Sequence, residues 1–187
     1  MFTDIPIDHD VSQQQIAYYQ QIAASESKRE PIARCILRAS RILNVHPNYL
    51  YTISIAEGGR TGKYRQNADK THDIGVMQIN YETWAVELPR IGYSITPQYW
   101  AKVLKNTCTN VLVGGVIFKH RAKPAQDSLT AMANYHWYSM AENKAPHIRY
   151  KKRLVKIYDD LIKDQTDFIN NGAEVNVRLR CKYAYCD

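Results

Sequence analysis

The chain is predicted to be mainly α-helical, with one small irregular β or loop region inside a single principal domain. Three observations predict this. Helix breakers are sparse, with 7 Pro and 8 Gly in 187 residues. Apolar residues recur at three- and four-residue spacing along most of the chain. Between residues 58 and 73 that spacing stops and polar residues take over. The length suits one hydrophobic core. A hydrophobic fraction of 45% and a charged fraction of 23% are ordinary for a globular protein.

The elements follow in order. Ile16 to about Ser27 reads as a polar, Gln-rich helix, so residues 1–30 form a polar extension or helix. Pro31 suits the start of the next helix, where a missing N–H costs nothing. Ile32, Cys35, Ile36, Ala39, Ile42 and Leu43 then define one buried face. Asn44 to His46 break the helix, and Pro47 opens another with Tyr49, Leu50 and Ile53 inward. It stops at Glu57-Gly58-Gly59, a glycine stop signal. The polar stretch 58–73 is a long loop with room for a short hairpin, and loops of that length are often functional. Residues 74–80 are short and mostly apolar. Further helices are expected at 81–88, 96–105, 108–121, 126–140 and 146–164. The last has a stripe of Ile148, Leu154, Val155, Tyr158, Leu161 and Ile162. The principal domain therefore spans 31–164, and 165–187 reads as a C-terminal tail without pattern.

Charge and cysteines narrow the function classes. Net charge is +7 and the pI about 9.2, which favours anionic partners. The basic clusters at 119–123 and 149–153 read first as solvated helix faces. No zinc-finger spacing, RNA-binding signature or long basic block is present, so no nucleic-acid partner is expected. No apolar run approaches the roughly 18 residues of a membrane span. Met1 to Asp10 has three Asp and no apolar run, so it does not read as a secretory signal. Either the chain is not exported by the general route or a signal has been removed. Cys35, Cys108, Cys181 and Cys186 include no C-x-x-C pair, so no metal or cofactor is expected. Buried thiols and disulfides both remain open for them.

Three segments carry candidate chemistry: Ile53-Ser54-Ile55-Ala56-Glu57-Gly58, Asp73-Ile74-Gly75-Val76-Met77-Gln78-Ile79-Asn80, and Ala133-Asn134-Tyr135-His136. Glu57 ends an apolar helix. A carboxylate there faces the helix's negative pole, and apolar neighbours withhold solvation from its charge. A carboxyl group that keeps its proton can protonate a leaving glycosidic oxygen. Alone, a Glu at a helix end is most often a solvated or capping group. Gly75 permits an unusual dihedral or close backbone approach. Gln78 and Asn80 are amides in an apolar stretch, suited to the hydroxyl and acetamido groups of an amino sugar. The plainer reading of that stretch is a core strand with outward amides. Tyr135 sits in an apolar helix and needs a hydrogen-bond partner. Glu57 is the candidate, with a structural tyrosine equally open. His136 is a sugar contact or an ordinary polar helix residue.

Taken together, these segments resemble the soluble lytic transglycosylases, whose fold is lysozyme-like. In that family an apolar helix ends in the catalytic Glu, a loop leads to a Gly-Leu-Met-Gln-Ile type motif, and a later Ala-Tyr-Asn type motif brings a Tyr near the Glu. The matching positions are Glu57, then Gly75 to Asn80, then Tyr135-His136. Cys108-Thr109-Asn110 with Gly114, Cys35 in the first helix of the domain, Tyr-His in place of Tyr-Asn, and Arg149-Tyr150 are similar to the specialised enzymes of type IV secretion, conjugation, type IV pilus and type III secretion systems. The resemblance covers about residues 31 to 162. Two departures stand out: Gly58 replaces a customary Ser after the Glu, and the loop 59–72 is unusually polar.

The resemblance implies a mainly α, lysozyme-like (α+β) catalytic domain that cleaves peptidoglycan glycan strands in the periplasm or cell envelope. Glu57 would be the single acid and base, and Gly75, Met77, Gln78, Asn80, Tyr135 and His136 would bind substrate. Secretion or pilus proteins would be partners, and Cys35 would pair with Cys108. Cys181 and Cys186 are a second candidate pair. Asp73 supplies a rival. It lies 73 − 57 = 16 positions after Glu57, and animal-type lysozymes place a second carboxylate in a similar position. Two carboxylates about 5 Å apart would support retaining hydrolysis. The plainer reading has Asp73 capping a turn or pairing with Lys70 or His72. A non-catalytic cell-wall-binding or scaffold domain is the alternative from another class.

Overall fold

The structure, a computed structural model, describes residues 11–26, 31–125, 127–136, 145–175 and 179–183. It is mainly helical with a small antiparallel sheet, as the spacing predicts.

Helix α1 spans Gln13–Ser25 and opens with a capping box in which Ser12 and Gln15 exchange hydrogen bonds. Helix α2 spans Ile32–Leu43 and closes at Asn44 in a left-handed conformation (φ 52°). Its inward face holds Ile32, Cys35, Ile36 and Ala39. Ile42, expected on that face, is instead 59% exposed. It lies at the margin of the stripe, in the last turn before the chain bends away at Asn44.

Helix α3, Pro47–Glu57, is the centre of the molecule. Every residue from Pro47 to Ala56 is buried, and α2, α7 and α8 pack against it. A helix buried all round needs no polar face, so its sequence shows little amphipathic pattern. Its buried amide is satisfied internally. Asn48 accepts from the Tyr19 hydroxyl at 2.7 Å and exchanges hydrogen bonds with Gln165 at 2.9 and 3.0 Å. This buried network ties α1, α3 and α8 together. The helix ends where Gly58 turns left-handed (φ 63°), a conformation that costs a side-chain-bearing residue more than glycine. That turn suits a glycine at 58.

The polar stretch folds into a sheet of β1 (Tyr64–Gln66), β2 (His72–Ile74) and β3 (Ile79–Asn80) in the order β1-β2-β3. Arg65 faces Asp73 across β1–β2, and Ile74 faces Ile79 across β2–β3. His72 fixes the sheet to the next helix: its N–H donates to Glu82 and its ring nitrogen lies 2.7 Å from the same carboxylate.

Helices α4 (Tyr81–Arg90), α5 (Pro97–Lys105), α6 (Thr107–Ala122) and α7 (Ser128–His136) follow. The helix expected over 126–140 reaches His136, and 137–140 lie outside the described residues. Helix α8 spans Ala145–Asn171, seven residues beyond the expected stop at 164. Gln165 and Phe168 continue the inward row one and two turns past Leu161, with Gln165 buried and Phe168 packed on the core. Ile148 and Val155, expected inward, are 43% and 37% exposed. The buried row of α8 is His147, Tyr150, Leu154, Ile157 and Leu161. Helix α9 (Leu179–Tyr183) docks on α3 and α8 with Leu179 and Arg180 buried, so this part of the expected tail belongs to the folded body. No helix among the described residues is long and apolar enough to cross a membrane.

Cys35 is bonded to Cys108, joining α2 to α6 across 73 positions. Cys181 is also disulfide-bonded, and Cys186 lies outside the described residues. Closing a loop of that length stabilises a fold by roughly 4 kcal/mol in the chain-entropy model. The double variant Cys35→Ala/Cys108→Ala is expected to lose up to about 4 kcal/mol, read from urea unfolding of oxidised wild type and variant side by side.

Candidate active site

One cleft of about 360 Å³ gathers most of the residues singled out in the sequence: Glu57, Asp73, Gln78, Asn80, Tyr135 and His136. The end of α3 supplies the carboxyl group, the sheet one wall, and α4, α6 and α7 the remainder.

Glu57 is the most enclosed acid of the cleft. Its side chain is 8% exposed. The Tyr150 hydroxyl donates to Glu57 Oε1 at 2.6 Å. His136 Nδ1 lies 3.6 Å from the same oxygen, and the His136 ring stacks on Tyr150 at 4.5 Å between centroids. Oε2 accepts no hydrogen bond from a described residue, so one oxygen is held and the other is open to the cleft. Burial first, then the neighbouring Glu57 carboxylate, holds the Tyr150 phenol well above its ordinary range. It therefore remains a donor throughout the physiological range.

Tyr150 takes the role expected of Tyr135. The Tyr135 hydroxyl donates at 2.8 Å to the Met77 carbonyl instead, and its ring, 5% exposed, forms part of the cleft wall. The sequence contained the signal for Tyr150. It stands at i, i+4, i+7 and i+11 with Leu154, Ile157 and Leu161, the inward row of α8.

The turn from Gly75 to Gln78 is held from behind by Asn110 on α6. Asn110 is 1% exposed. Its Oδ1 accepts from Met77 N–H at 2.8 Å, and its Nδ2 donates to Ile74 C=O at 3.1 Å. Gly75 has φ 69°, and a Cβ there would meet Asn110 Nδ2 at 2.1 Å. Met77 is fully buried and lies against Gly114, where a Cβ would sit 2.8 Å from its Cγ. Gly75 and Met77, expected as substrate contacts, thus stand behind the cleft wall, because the turn needs a filled core beneath it. Gln78 is left-handed (φ 46°) and reaches the cleft. Its Nε2 donates to Gly75 C=O at 2.9 Å, which leaves Oε1 uncommitted among the described residues.

Asn80 lines the cleft but is fully engaged. Its Oδ1 caps α4 at Thr83 N–H, and its Nδ2 donates to Thr71 and, at 3.2 Å, to Asp73 Oδ1. Asp73 pairs with Arg65 at 2.9 Å rather than with Lys70 or His72, because the hairpin register sets Arg65 opposite it. Arg121, read from the sequence as part of a solvated basic helix face, also lines the cleft. Its guanidinium donates to the Tyr135 carbonyl and lies 4.9 Å above the Trp84 ring. Among the described residues no group of three potential metal ligands is present.

No protein-family model matches the chain, and no curated protein is significantly similar to it.

Two outcomes follow from this geometry. Asn110→Ala strands the Met77 N–H and the Ile74 carbonyl, each at about 1–3 kcal/mol. A loss of roughly 2–6 kcal/mol is expected in denaturant unfolding. Burial and the Glu57 charge hold the Tyr135 and Tyr150 phenols well above their ordinary range in the folded chain. Their contribution to stability is complete below the unfolded value near about 10 and is lost as pH rises beyond it. Unfolding free energy is expected to fall above about pH 10, and less steeply in Tyr135→Phe/Tyr150→Phe, which has no phenol at either position.

Proposed function

We propose that the chain cleaves peptidoglycan glycan strands as a lytic transglycosylase, with Glu57 as its acid and base. The observation that carries this reading is one enclosed carboxyl group with a single open oxygen. It is held by a phenol at the end of a buried helix and shares a cleft with an uncommitted amide oxygen. The order of the sequence motifs supports it further.

In the proposed reaction Glu57 gives its proton to the oxygen joining N-acetylmuramic acid to N-acetylglucosamine. The bond from the muramic C1 to that oxygen breaks, and the substrate's own acetamido carbonyl supports the positive charge at C1. The Glu57 carboxylate then takes the proton of the muramic C6 hydroxyl as O6 attacks C1. A 1,6-anhydro ring closes, Glu57 regains its proton, and no water is consumed. Gln78 orients the sugar, and Tyr150 is a positioning residue that fixes the carboxyl group. Positioning matters because a displacement of about 1 Å can cost on the order of 100-fold in rate.

The state of Asp73 favours this route over hydrolysis. Its two oxygens are engaged by Arg65 and Asn80, which makes Asp73 less available to attack a sugar carbon. A second reading, muramidase hydrolysis by Glu57 and Asp73, keeps one supporting fact: both carboxylates face the same cleft. An oxidising compartment such as the periplasm suits the Cys35–Cys108 bridge. Local opening of the wall for a secretion, conjugation or pilus apparatus is the role that the resembled enzymes suggest.

Mass analysis of products from purified peptidoglycan tests the proposal. Wild type is expected to release anhydro-ended fragments, lighter by one water than hydrolysed ones, and Glu57→Gln to be slower by about 100-fold or more. Hydrolysed ends would favour the two-carboxylate reading. Equal rates would remove Glu57 from the chemistry, and binding without cleavage by either protein would make the chain a wall-binding or scaffold domain.

A further inference from the structure

We propose that Arg180, in the C-terminal segment, is a positioning residue for the candidate active site. It holds the Gly59 carbonyl and so sets the junction at which the end of α3 meets the turn carrying Gln78. The inference rests on the reading of Glu57 as acid and base.

Arg180 NH2 donates to Gly59 C=O at 2.7 Å in a buried setting, across 121 positions of sequence. Arg180 is 7% exposed, and burying a guanidinium carries a desolvation cost. The segment also has docking contacts of its own. Leu179 is buried, Arg153 donates to the Tyr183 carbonyl, and Lys182 and the Tyr183 hydroxyl both engage Asp160. These contacts tie α9 to α8 without Arg180.

The carbonyl that Arg180 holds lies two residues beyond Glu57, just past the left-handed Gly58. Gly59 is also wedged against the Gln78 turn. A Cβ there would sit 2.0 Å from Gly75 O, 2.9 Å from Val76 O and 2.8 Å from Gln78 Nε2. Backbone from the acid's helix and backbone from the amide's turn are in direct contact at this point, and the guanidinium fixes one of them.

The test compares Arg180→Met, Arg180→Lys and Leu179→Ala in the full chain. One readout is kcat and KM for release of anhydro products from solubilised glycan strands. The other, independent of activity, is the NMR signal of the Gln78 side-chain amide. Arg180→Met is expected to lower kcat by roughly 10-fold or more, with KM little changed, and to move the Gln78 signal. Arg180→Lys restores part of kcat. Leu179→Ala lowers the melting temperature while leaving both readouts near wild type. An unmoved Gln78 signal in Arg180→Met overturns the inference, as does an equal loss of kcat in Leu179→Ala. If wild type releases no anhydro product, the functional reading fails and the Gln78 signal alone decides. Movement in Arg180→Met but not in Leu179→Ala upholds the inference, and no movement overturns it.

Discussion

The contact between the Tyr150 hydroxyl and Glu57 Oε1 organises the candidate site. A carboxyl group at the end of a helix is normally free to rotate into water. Here two conditions prevent that. The helix is buried along its length, so its last residue emerges inside the molecule rather than at the surface. The phenol then occupies one oxygen, and His136 stacks on the phenol and screens it. Glu57 and Tyr150 are 93 positions apart, so the contact exists only because α8 packs along α3. The buried Tyr19–Asn48–Gln165 network helps to set that packing.

Opposite this acid, the Gly75–Gln78 turn is shaped from beneath. Asn110 bridges both sides of the turn, Gly114 makes room for Met77, and Tyr135 takes the Met77 carbonyl. Three groups expected to face a ligand (Gly75, Met77 and the Tyr135 hydroxyl) prove to be the turn's support. The residue that reaches the cleft is Gln78, held in a left-handed conformation that only a well-supported turn sustains. Asn80 behaves similarly: it faces the cleft, yet its hydrogen bonds go to a helix cap and to Asp73.

Much of the fold was legible in local spacing. The starts at Pro31 and Pro47, the glycine stop after Glu57 and the polar loop with room for a hairpin all follow from residue type and short-range order. What failed was rotation about a helix axis. On α8, Ile148 and Val155 were assigned to the inner face because they are apolar, whereas His147 and Tyr150 occupy it. Tyr158 was taken for the inner face and Tyr150 was not, although a buried phenol needs only one acceptor. The same error concealed the partner of Glu57. Arg180 was beyond reach for another reason: nothing local distinguishes a charged residue that will be buried against a carbonyl 121 positions away.

The one-sided hold on Glu57 has a stereochemical consequence. With Oε1 occupied by the phenol, proton delivery and proton recovery in the proposed reaction both fall to Oε2. The departing oxygen and the incoming O6 must then come within reach of a single atom, on the same face of the muramic ring. A β-linked leaving group and a bridge closed across C1 and C6 share that face. A lone carboxyl group pinned at one corner can thus serve the whole sequence without turning over.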